Sequence, residues 1–417
     1  MTSRERVLAA IAHEPTDRVP IDLAGMRSTG IMATAYNPLK RHLGLRHETL
    51  LYDVVQGLAQ PHARILDRFD VDVVDLGRAW FTSPDDWRDW TLMDGSAARV
   101  PAWFEPEPDG EGGWLIRGDE EQVIGVMPAG QEYITQTYWP MADDAAGLTD
   151  SSLADLEHHM AQVTWGRLGC APWHPGFDDR RWEEMRTRAL ELRRSSDRAI
   201  MCAFGGNLME WSQFLRGFGQ FLTDLGARPT DAHRLLDALT ERHLRVLDRF
   251  LDALGDAIDI VQMGDDLGTQ HGPQISPEMY RDFFLPRHRR IYSRVKERSD
   301  LAVFLHSCGG LYELIPDLIE AGIDILNPVQ TSAANMEPQR LKREFGRDLT
   351  FWGGGCETQS TLIRGTPQDV RDEVHQRVGV FAAGGGYVFN QVHNILTDVP
   401  PENVVAMFDA ARGAQLP

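Results

Sequence analysis

His306 and Cys308 are the residues of this chain whose types and spacing most clearly suggest chemistry. They follow an apolar run, residues 301–305, which predicts a buried parallel strand, and they precede Gly309 and Gly310, which permit a turn. An imidazole nitrogen and a thiolate two residues apart can share one zinc ion if the chain turns between them or if both lie on one face. The alternative is a half-buried histidine beside a small apolar cysteine.

Polar residues also follow the other apolar runs of the chain. In folds built from alternating strands and helices, ligands and catalytic groups collect at the carboxyl ends of the strands. We therefore expect these residues to line one mouth, whereas the opposite strand ends offer no comparable set. The residues are Arg27, Asp75, Asn207, Asp265, Asp266, His306, Cys308, Asn327, Cys356, Glu357, Asn390 and His393.

A catalytic zinc ion needs a third protein ligand and one open position. The candidates for this ligand are His393, Cys356 and Glu357. Each also has a structural interpretation: His393 as a hydrogen-bonded acid or orienting group, Cys356 as core, and Glu357 as the cap of the following helix.

The neighbouring pair Asp265 and Asp266 follows a further apolar strand. Two adjacent acids there are unfavourable unless they bind a cation or a positively charged or hydroxyl-bearing substrate. Tyr280 and Arg281, in the next helix, are expected on its surface.

Predicted strands and helices alternate regularly along the chain, which indicates a parallel sheet that positions these residues. We predict an α/β fold, a TIM (β/α)8 barrel, with one domain over residues 1–417. A long helix is predicted over 43–70. The eight predicted strands cover 18–23, 71–77, 199–204, 257–263, 301–305, 323–326, 349–352 and 387–389.

The segment 80–140 differs in composition and pattern from the rest of the chain. It carries six tryptophans and several turn signals such as Asp94-Gly95, which predict an antiparallel β subdomain inserted after the second strand. The segment can be a satellite sheet, a lid over the strand ends, or both.

The composition argues against several classes of protein function. The chain has 417 residues and a net charge of -20, which argues against sequence-independent nucleic-acid binding. No apolar run is long enough for a membrane span and the first helix lacks a signal-peptide core, so we expect a cytoplasmic protein without a membrane partner. The four cysteines, Cys170, Cys202, Cys308 and Cys356, are too few for a disulfide framework.

Several long segments resemble the uroporphyrinogen decarboxylase (URO-D) superfamily, which includes the zinc-dependent, corrinoid-linked methyltransferases. They are RERVLAAIAHEPTDRVPIDLAG (4–25), DDLGTQ (265–270), ISPEMYRDFFLPRHRRI (275–291), HSCG (306–309) and GYVFNQVHNILTDVPPENV (386–404). The resemblance implies a single-domain TIM barrel and two candidate activities.

For a decarboxylase, the resemblance assigns Arg27 to a substrate carboxylate, Asp75 to the substrate nitrogens and His393 to proton donation. The second arginine of that family motif is Ile31 here, which disfavours uroporphyrinogen itself as substrate. For a methyltransferase, His306 and Cys308 match the zinc motif, while the later cysteine is missing, with His393 or Cys356 as substitutes. The chain has no corrinoid-binding domain that we can recognise, so cobalamin would come from a separate partner protein.

We therefore predict a zinc-dependent methyltransferase acting on a small molecule, with a cofactor-independent decarboxylase as the alternative and a non-catalytic binding barrel as a third hypothesis. The metal ligands are sought among His306, Cys308, His393 and Cys356. The sequence leaves open whether the chain forms a homodimer. Catalytic roles are predicted for Asp75, Asp265, Asp266 and His393, and substrate-binding roles for Arg27, Asn207, Asn327, Glu357 and Asn390.

Overall fold

A curved parallel sheet forms the centre of the molecule in the computed structural model, which describes residues 1–142, 148–169, 172–173 and 178–416. Cys170 lies outside the described residues. Within them, seven parallel strands lie side by side in the order of the chain. These strands are Val73–Asp75, Ala199–Gly205, Ile260–Gly264, Ala302–His306, Ile325–Asn327, Thr350–Trp352 and Tyr387–Val388.

The residues around Ile21 close this sheet into a cylinder. Ile21 pairs in parallel with Phe389 at the last strand, and the Asp22 N–H donates to the Phe389 carbonyl at 2.9 Å. On the other side, the Asp72 N–H donates to the Ile21 carbonyl at 2.8 Å. The segment predicted as the first strand thus joins both edges, and the predicted TIM barrel is confirmed.

Helices surround the cylinder and connect its strands. The longest, Pro229–Leu254, buries an apolar stripe that includes Leu235, Leu239 and Leu247, as expected for a helix that covers a sheet. The remaining α-helices are Ser3–Ile11, Ala33–His42, Ala63–Arg68, Asp150–Ala154, Leu156–Ala161, Thr164–Arg167, Asp179–Ser195, Met209–Arg216, Phe218–Ala227, Pro277–Met279, Leu285–Arg298, Ile315–Ala321, Pro338–Phe345, Thr361–Arg364, Pro367–Phe381 and Pro401–Gly413. Short 3-10 turns cover Arg27–Thr29, Leu76–Ala79 and Pro84–Asp86, and a π-turn covers Tyr280–Phe284. Among the described residues, every helix is too short or too polar to cross a membrane.

The interior of the barrel changes from apolar to polar along its axis. Val7 and Ala10 of the first helix close the amino end, against apolar side chains such as Phe304 and Trp352 inside the cylinder. Because alternate residues of a strand face the same side, the residue above Phe304 on the inner face is His306. His306 pairs in register with Gly264 and Asn327, which places polar groups at the carboxyl end.

The segment 80–140 contains antiparallel strands, as predicted. Trp87–Thr91 pairs with Ala97–Pro101 as one hairpin. A four-stranded sheet holds Glu107–Pro108, Trp114–Arg117, Val123–Met127 and Thr135–Gln136. Its separation from the barrel as a subdomain with boundaries at 80 and 140 stays a prediction.

The helix predicted over 43–70 is wrong. Strands Leu51–Asp53 and Leu58–Ala59 lie there and form a small sheet with Ile31–Met32, and helix is confined to Ala63–Arg68. Gly57 has a φ of 67°, which a right-handed helix does not allow. A second small hairpin pairs Gly268–Thr269 with Gly272–Pro273.

Tyr280 was expected on a helix surface, and it is fully buried. Its hydroxyl lies 3.0 Å from Nδ1 of His288, which is also buried. The π-turn at Tyr280–Phe284 rotates this residue towards the core, a change that helical periodicity does not reveal.

Candidate functional site

A cavity of about 1340 Å³ opens at the carboxyl ends of the barrel strands. Its inner end is polar, with Arg27, Asn207, Gln262, Asp266, His306 and His393. Its outer wall is rich in aromatic residues, including Trp103, Phe104, Trp165, Trp173, Phe204, Trp211 and Phe214. The strand ends therefore form a cavity, as predicted. Five of the predicted site residues line it, namely Arg27, Asn207, Asp266, His306 and His393.

Asn327 fixes the orientation of the His306 ring. Its amide nitrogen donates to the Trp352 carbonyl at 2.9 Å, so its oxygen is left to accept from His306 Nδ1 at 2.7 Å. The ring proton is then on Nδ1, and the lone pair of Nε2 lies on the other side of the ring. His306 Nε2 is 3.4 Å from Cys308 Sγ. Asn327 thus holds His306 in the tautomer that leaves Nε2 open to a metal, and its substrate-binding role stays a prediction.

The turn predicted after the strand brings Cys308 to His306. Gly309 has a φ of 89°, and a side chain there would overlap the backbone of Gly268 and Thr269. The Cys308 N–H donates to Asp266 Oδ1 at 2.8 Å, which holds the turn against the neighbouring strand end. Burial raises the pKa of the Cys308 thiol well above its usual range, and the Asp266 carboxylate adds to this effect.

His393 completes a group of three potential ligands. Within the described part of the chain, one ligand atom from each of His306, Cys308 and His393 lies within 4.8 Å of the other two. Burial, with a smaller contribution from His306, lowers the pKa of His393 to about 4, so its ring is neutral at pH 7. His393 Nδ1 accepts from the Asn394 N–H at 2.8 Å, which leaves the ring proton on Nε2.

The two neighbouring aspartates have separate roles. Asp266 lines the cavity, and its Oδ1 lies 4.0 Å from His306 Nε2. Asp265 is fully buried; it accepts from the N–H groups of Met209 and Glu210 at 3.0 and 3.1 Å and lies 3.1 Å from His288 Nε2. These contacts anchor the start of the helix Met209–Arg216, and the catalytic role of Asp265 stays a prediction.

Glu210 is a site residue that the sequence analysis missed. It lines the cavity, and its Oε2 accepts from Asn207 Nδ2 and, at 3.2 Å, from the Asp266 N–H. Burial, followed by the charges of Asp266 and Asp265, raises the pKa of Glu210 to about 8. An acidic residue three positions after Asn207, in the first turn of the helix behind a strand, was the available signal.

Asp75 and Arg27 lie on a different side of the barrel mouth. Burial raises the pKa of Asp75 to about 7, although the Gly77 N–H and the Arg27 charge oppose the shift. Asp75 Oδ1 accepts from that N–H at 3.0 Å. The Arg27 guanidinium lies 5.3 Å from the Trp165 ring centroid, and its Nε is 3.8 Å from Asp53 Oδ2.

Besides Asp75, Asp265, Cys308 and Asn327, three more predicted site residues do not line the cavity, and all three are buried. Cys356 is fully buried with its Sγ 3.6 Å from Glu373 Oε2, and it lies outside the group of potential metal ligands. Glu357 accepts from the Gln359 N–H at 3.2 Å, and Asn390 Nδ2 donates to the Asp22 carbonyl at 3.0 Å. The glycines before Cys356 explain its position, because Gly353 and Gly354 have positive φ and turn the chain away from the mouth.

Comparison with solved structures finds the same fold. A structure titled "methyltransferase from Methanosarcina mazei" superposes with a TM-score of 0.58 at 16% sequence identity, and the match covers 99% of this chain and 98% of that chain. At this identity the likeness concerns the fold alone.

Curated relatives match part of the chain. The protein named "Uroporphyrinogen decarboxylase" of Nostoc punctiforme is 25% identical over 184 residues, which is 44% of this chain and 48% of the relative. The protein of the same name from Legionella pneumophila is 26% identical over 196 residues, 47% of this chain and 51% of the relative. The chain thus spans about half the length of these relatives.

The match to a family model is broader. The model described as "Uroporphyrinogen decarboxylase (URO-D)" covers residues 194–414, just over half of the chain. This range contains Glu210, Asp266, His306, Cys308 and His393. The chain therefore belongs to the uroporphyrinogen decarboxylase (URO-D) family.

Proposed function

We propose that this chain is a zinc-dependent methyltransferase that moves a methyl group between a small O-, N- or S-methylated substrate and a corrinoid protein or a thiol. The observation that carries the proposal is the pairing of His306 Nε2 with Cys308 Sγ at 3.4 Å, with His306 lining a large cavity. The methyltransferase title of the structural neighbour agrees with it.

The residues fit a zinc ion. Zinc bonds of about 2.1 Å to nitrogen and 2.3 Å to sulfur, at a tetrahedral angle, place the two ligand atoms about 3.6 Å apart. The 3.4 Å separation in the protein is close to that value. The Nδ1 proton of His306 is held by Asn327, as in the usual orientation of a metal-bound histidine.

His393 is the third ligand in the proposal. Its neutral ring suits coordination, but its Nε2 carries the proton while Nδ1 accepts from Asn394. Coordination through Nε2 would move this proton to Nδ1 and release the Asn394 N–H. The proposal does not use Cys356, whose Sγ lies 3.6 Å from Glu373 Oε2 and outside the group of potential ligands.

Zinc bound by these residues would stabilise a thiolate or polarise a methylated heteroatom. The chain itself supplies the geometry: Asn327 orients His306, and Asp266 holds the Cys308 backbone. The cavity positions the substrate at the ligand group, and the corrinoid would be carried by a separate protein.

Metal content tests the proposal. The purified protein is expected to hold about one zinc per chain, and His306→Ala or Cys308→Ser is expected to reduce zinc at least tenfold without unfolding. Cys356→Ser is the matched control, because it changes a buried cysteine outside the ligand group and should keep its zinc. The zinc-loaded protein should also consume methylcobalamin in the presence of a small thiol, and zinc loss from Cys356→Ser but not from Cys308→Ser would refute the ligand assignment.

A decarboxylase is the second candidate, and the proton on His393 Nε2 favours it. This N–H, the Arg27 guanidinium and the Asp75 carboxyl lie around the same barrel mouth, which matches a site that holds a carboxylate and protonates a carbon. A metal-free protein that releases carbon dioxide from a small carboxylic acid, and loses this activity in Arg27→Gln, would select this function over methyl transfer.

A further inference from the structure

Tyr133 is an aromatic residue of the inserted segment that reaches the polar end of the cavity. Both of its neighbours are tied to the barrel. The Ile134 N–H donates to the Val55 carbonyl at 2.8 Å, and Glu132 accepts from the hydroxyls of Thr34 and Thr397 at 2.5 and 3.0 Å. The position of Tyr133 is therefore set by the barrel loops.

The Tyr133 side chain is 45% exposed and lines the cavity. Within the described residues its hydroxyl makes no hydrogen bond. Withdrawal from bulk water inside the cavity raises the pKa of this hydroxyl, and the charges of Asp53, Glu210 and Asp266 raise it further, against Arg27. Tyr133 thus presents a neutral phenol and a ring face to whatever occupies the cavity.

The charges around Tyr133 do not balance. Arg27 is matched by Asp53 at 3.8 Å and is stacked against Trp165. Among the described residues, neither Glu210 nor Asp266 has a lysine or arginine within ion-pair distance, and His306 Nε2 lies 4.0 Å from Asp266. The polar end of the cavity therefore carries unmatched negative charge, on the Asp266 carboxylate and, as the pH rises through the Glu210 pKa of about 8, on Glu210 as well.

Aromatic faces border these carboxylates. Glu210 and Phe214 are four residues apart on the helix Met209–Arg216, so both lie on the face that lines the cavity. The Phe214 ring stacks with that of Trp165, with centroids 6.2 Å apart. Carboxylates and aromatic faces both attract organic cations, and both disfavour anions.

We propose that Tyr133 and Glu210 select a substrate that carries a positive charge, of the quaternary or protonated ammonium class, beside the His306–Cys308 pair. A cation beside Glu210 favours its ionised form, which supplies the counter-charge together with Asp266. Tyr133 supplies a ring face from the inserted segment. The inference deepens the proposed function by naming its substrate class, but charge selectivity is a property of the cavity that can be measured without turnover.

The test compares two probes of the same shape, choline and its neutral isostere 3,3-dimethylbutan-1-ol, by calorimetric titration of metal-free and zinc-loaded protein. Choline is expected to bind at least about tenfold more tightly to both forms. The titrations are run at pH 9, above the Glu210 pKa of about 8. There Glu210→Gln should reduce this ratio to within about threefold, since it removes the charge and keeps the hydrogen-bond acceptor. Tyr133→Leu should weaken choline about three- to tenfold, whereas Tyr133→Phe retains the ring face and most of the affinity.

Tyr138→Phe is the matched control from the same segment, because Tyr138 does not line the cavity, and it should leave both affinities unchanged. Equal binding of the two probes, including no measurable binding of either, would overturn the inference. Selectivity that disappears when zinc is loaded would also overturn it, because the metal would then be the counter-charge. Selectivity in a protein that binds no zinc would refute the proposed methyl transfer and leave the inference standing.

Discussion

The two ends of the barrel use carboxylates in opposite ways. At the amino end, three aspartates precede strands and are all bound by cations. Asp72 contacts Arg6 and Arg18, both at 2.7 Å. Asp259 contacts Arg4 and Arg193, both at 2.8 Å, and Asp324 contacts Lys296 at 2.7 Å.

Each of these aspartates also joins two strands. Asp72, Asp259 and Asp324 accept, each at 2.8 Å, from the N–H of a residue in the preceding strand, Ile21, Ile200 and Val303 respectively. The sequence analysis expected no comparable polar set at this end, and that expectation is wrong. These residues are polar because they bind the strands together, which is a structural role.

At the carboxyl end, Asp75 is buried and Glu210 is half-buried. Neither has a lysine or arginine within ion-pair distance among the described residues, and withdrawal from water raises the pKa of both. Unmatched buried carboxylates reduce stability, so their presence points to a function. The comparison shows that a carboxylate paired with a cation indicates a structural contact, whereas a carboxylate withdrawn from water without such a partner indicates a candidate functional site.

The largest expected effect is at the amino end. Asp72→Ala removes a fully buried carboxylate and leaves Arg6, whose side chain is 7% exposed, without that partner. We expect a loss of about 3–5 kcal/mol in the free energy of unfolding. Denaturant unfolding measures it, and a loss below about 1 kcal/mol would contradict the structural role of this end.

A smaller effect of opposite sign is expected at the carboxyl end. The pKa of Glu210 is raised from 4.5 to about 8, so its contribution to stability is present below pH 4.5 and is lost as the pH rises through about 8. Metal-free Glu210→Gln should equal the wild type near pH 4.5 and exceed it by at least about 1 kcal/mol at pH 9. Unfolding curves measured across this range provide the check, and a constant difference between the proteins would show that the pKa is not raised.

The smallest effect is again at the amino end. The ion pair of Lys296 with Asp324 is partly exposed, with side-chain exposures of 43% and 33%. Lys296→Met should lower the free energy of unfolding by about 0.5 kcal/mol or less, because solvent screens this pair. If Lys296→Met lowered the free energy of unfolding as much as Asp72→Ala, burial would not determine how much each ion pair contributes to stability.

The barrel could be predicted because its signals are local. Alternating apolar strands and amphipathic helices specify the architecture, and the apolar run before His306 with two glycines behind Cys308 predicts a turn at a strand end. The roles of individual polar residues were harder to predict. Asp265 and Asp266 are neighbours in sequence, yet one is buried under a helix and the other faces the cavity.

Glu210 and Tyr133 were missed for a related reason. Glu210 lies on a helix and Tyr133 in the insertion. Neither follows a predicted strand directly, as the predicted site residues do. Their importance depends on which charges surround them in three dimensions. The wrong helix over 43–70 has a local cause: Gly57 adopts a positive φ, which glycine permits and a right-handed helix does not.

The pairing of Ile21 with Phe389 has a consequence for biosynthesis. The ribosome must release the chain as far as Phe389 before the cylinder can close, because the strand segments at Ile21 and Phe389 are neighbours. Until then the emerging chain exposes two unpaired sheet edges, which invite association with other chains. His393 lies four residues beyond Phe389, so the candidate zinc ligands come together only after this segment has been synthesised.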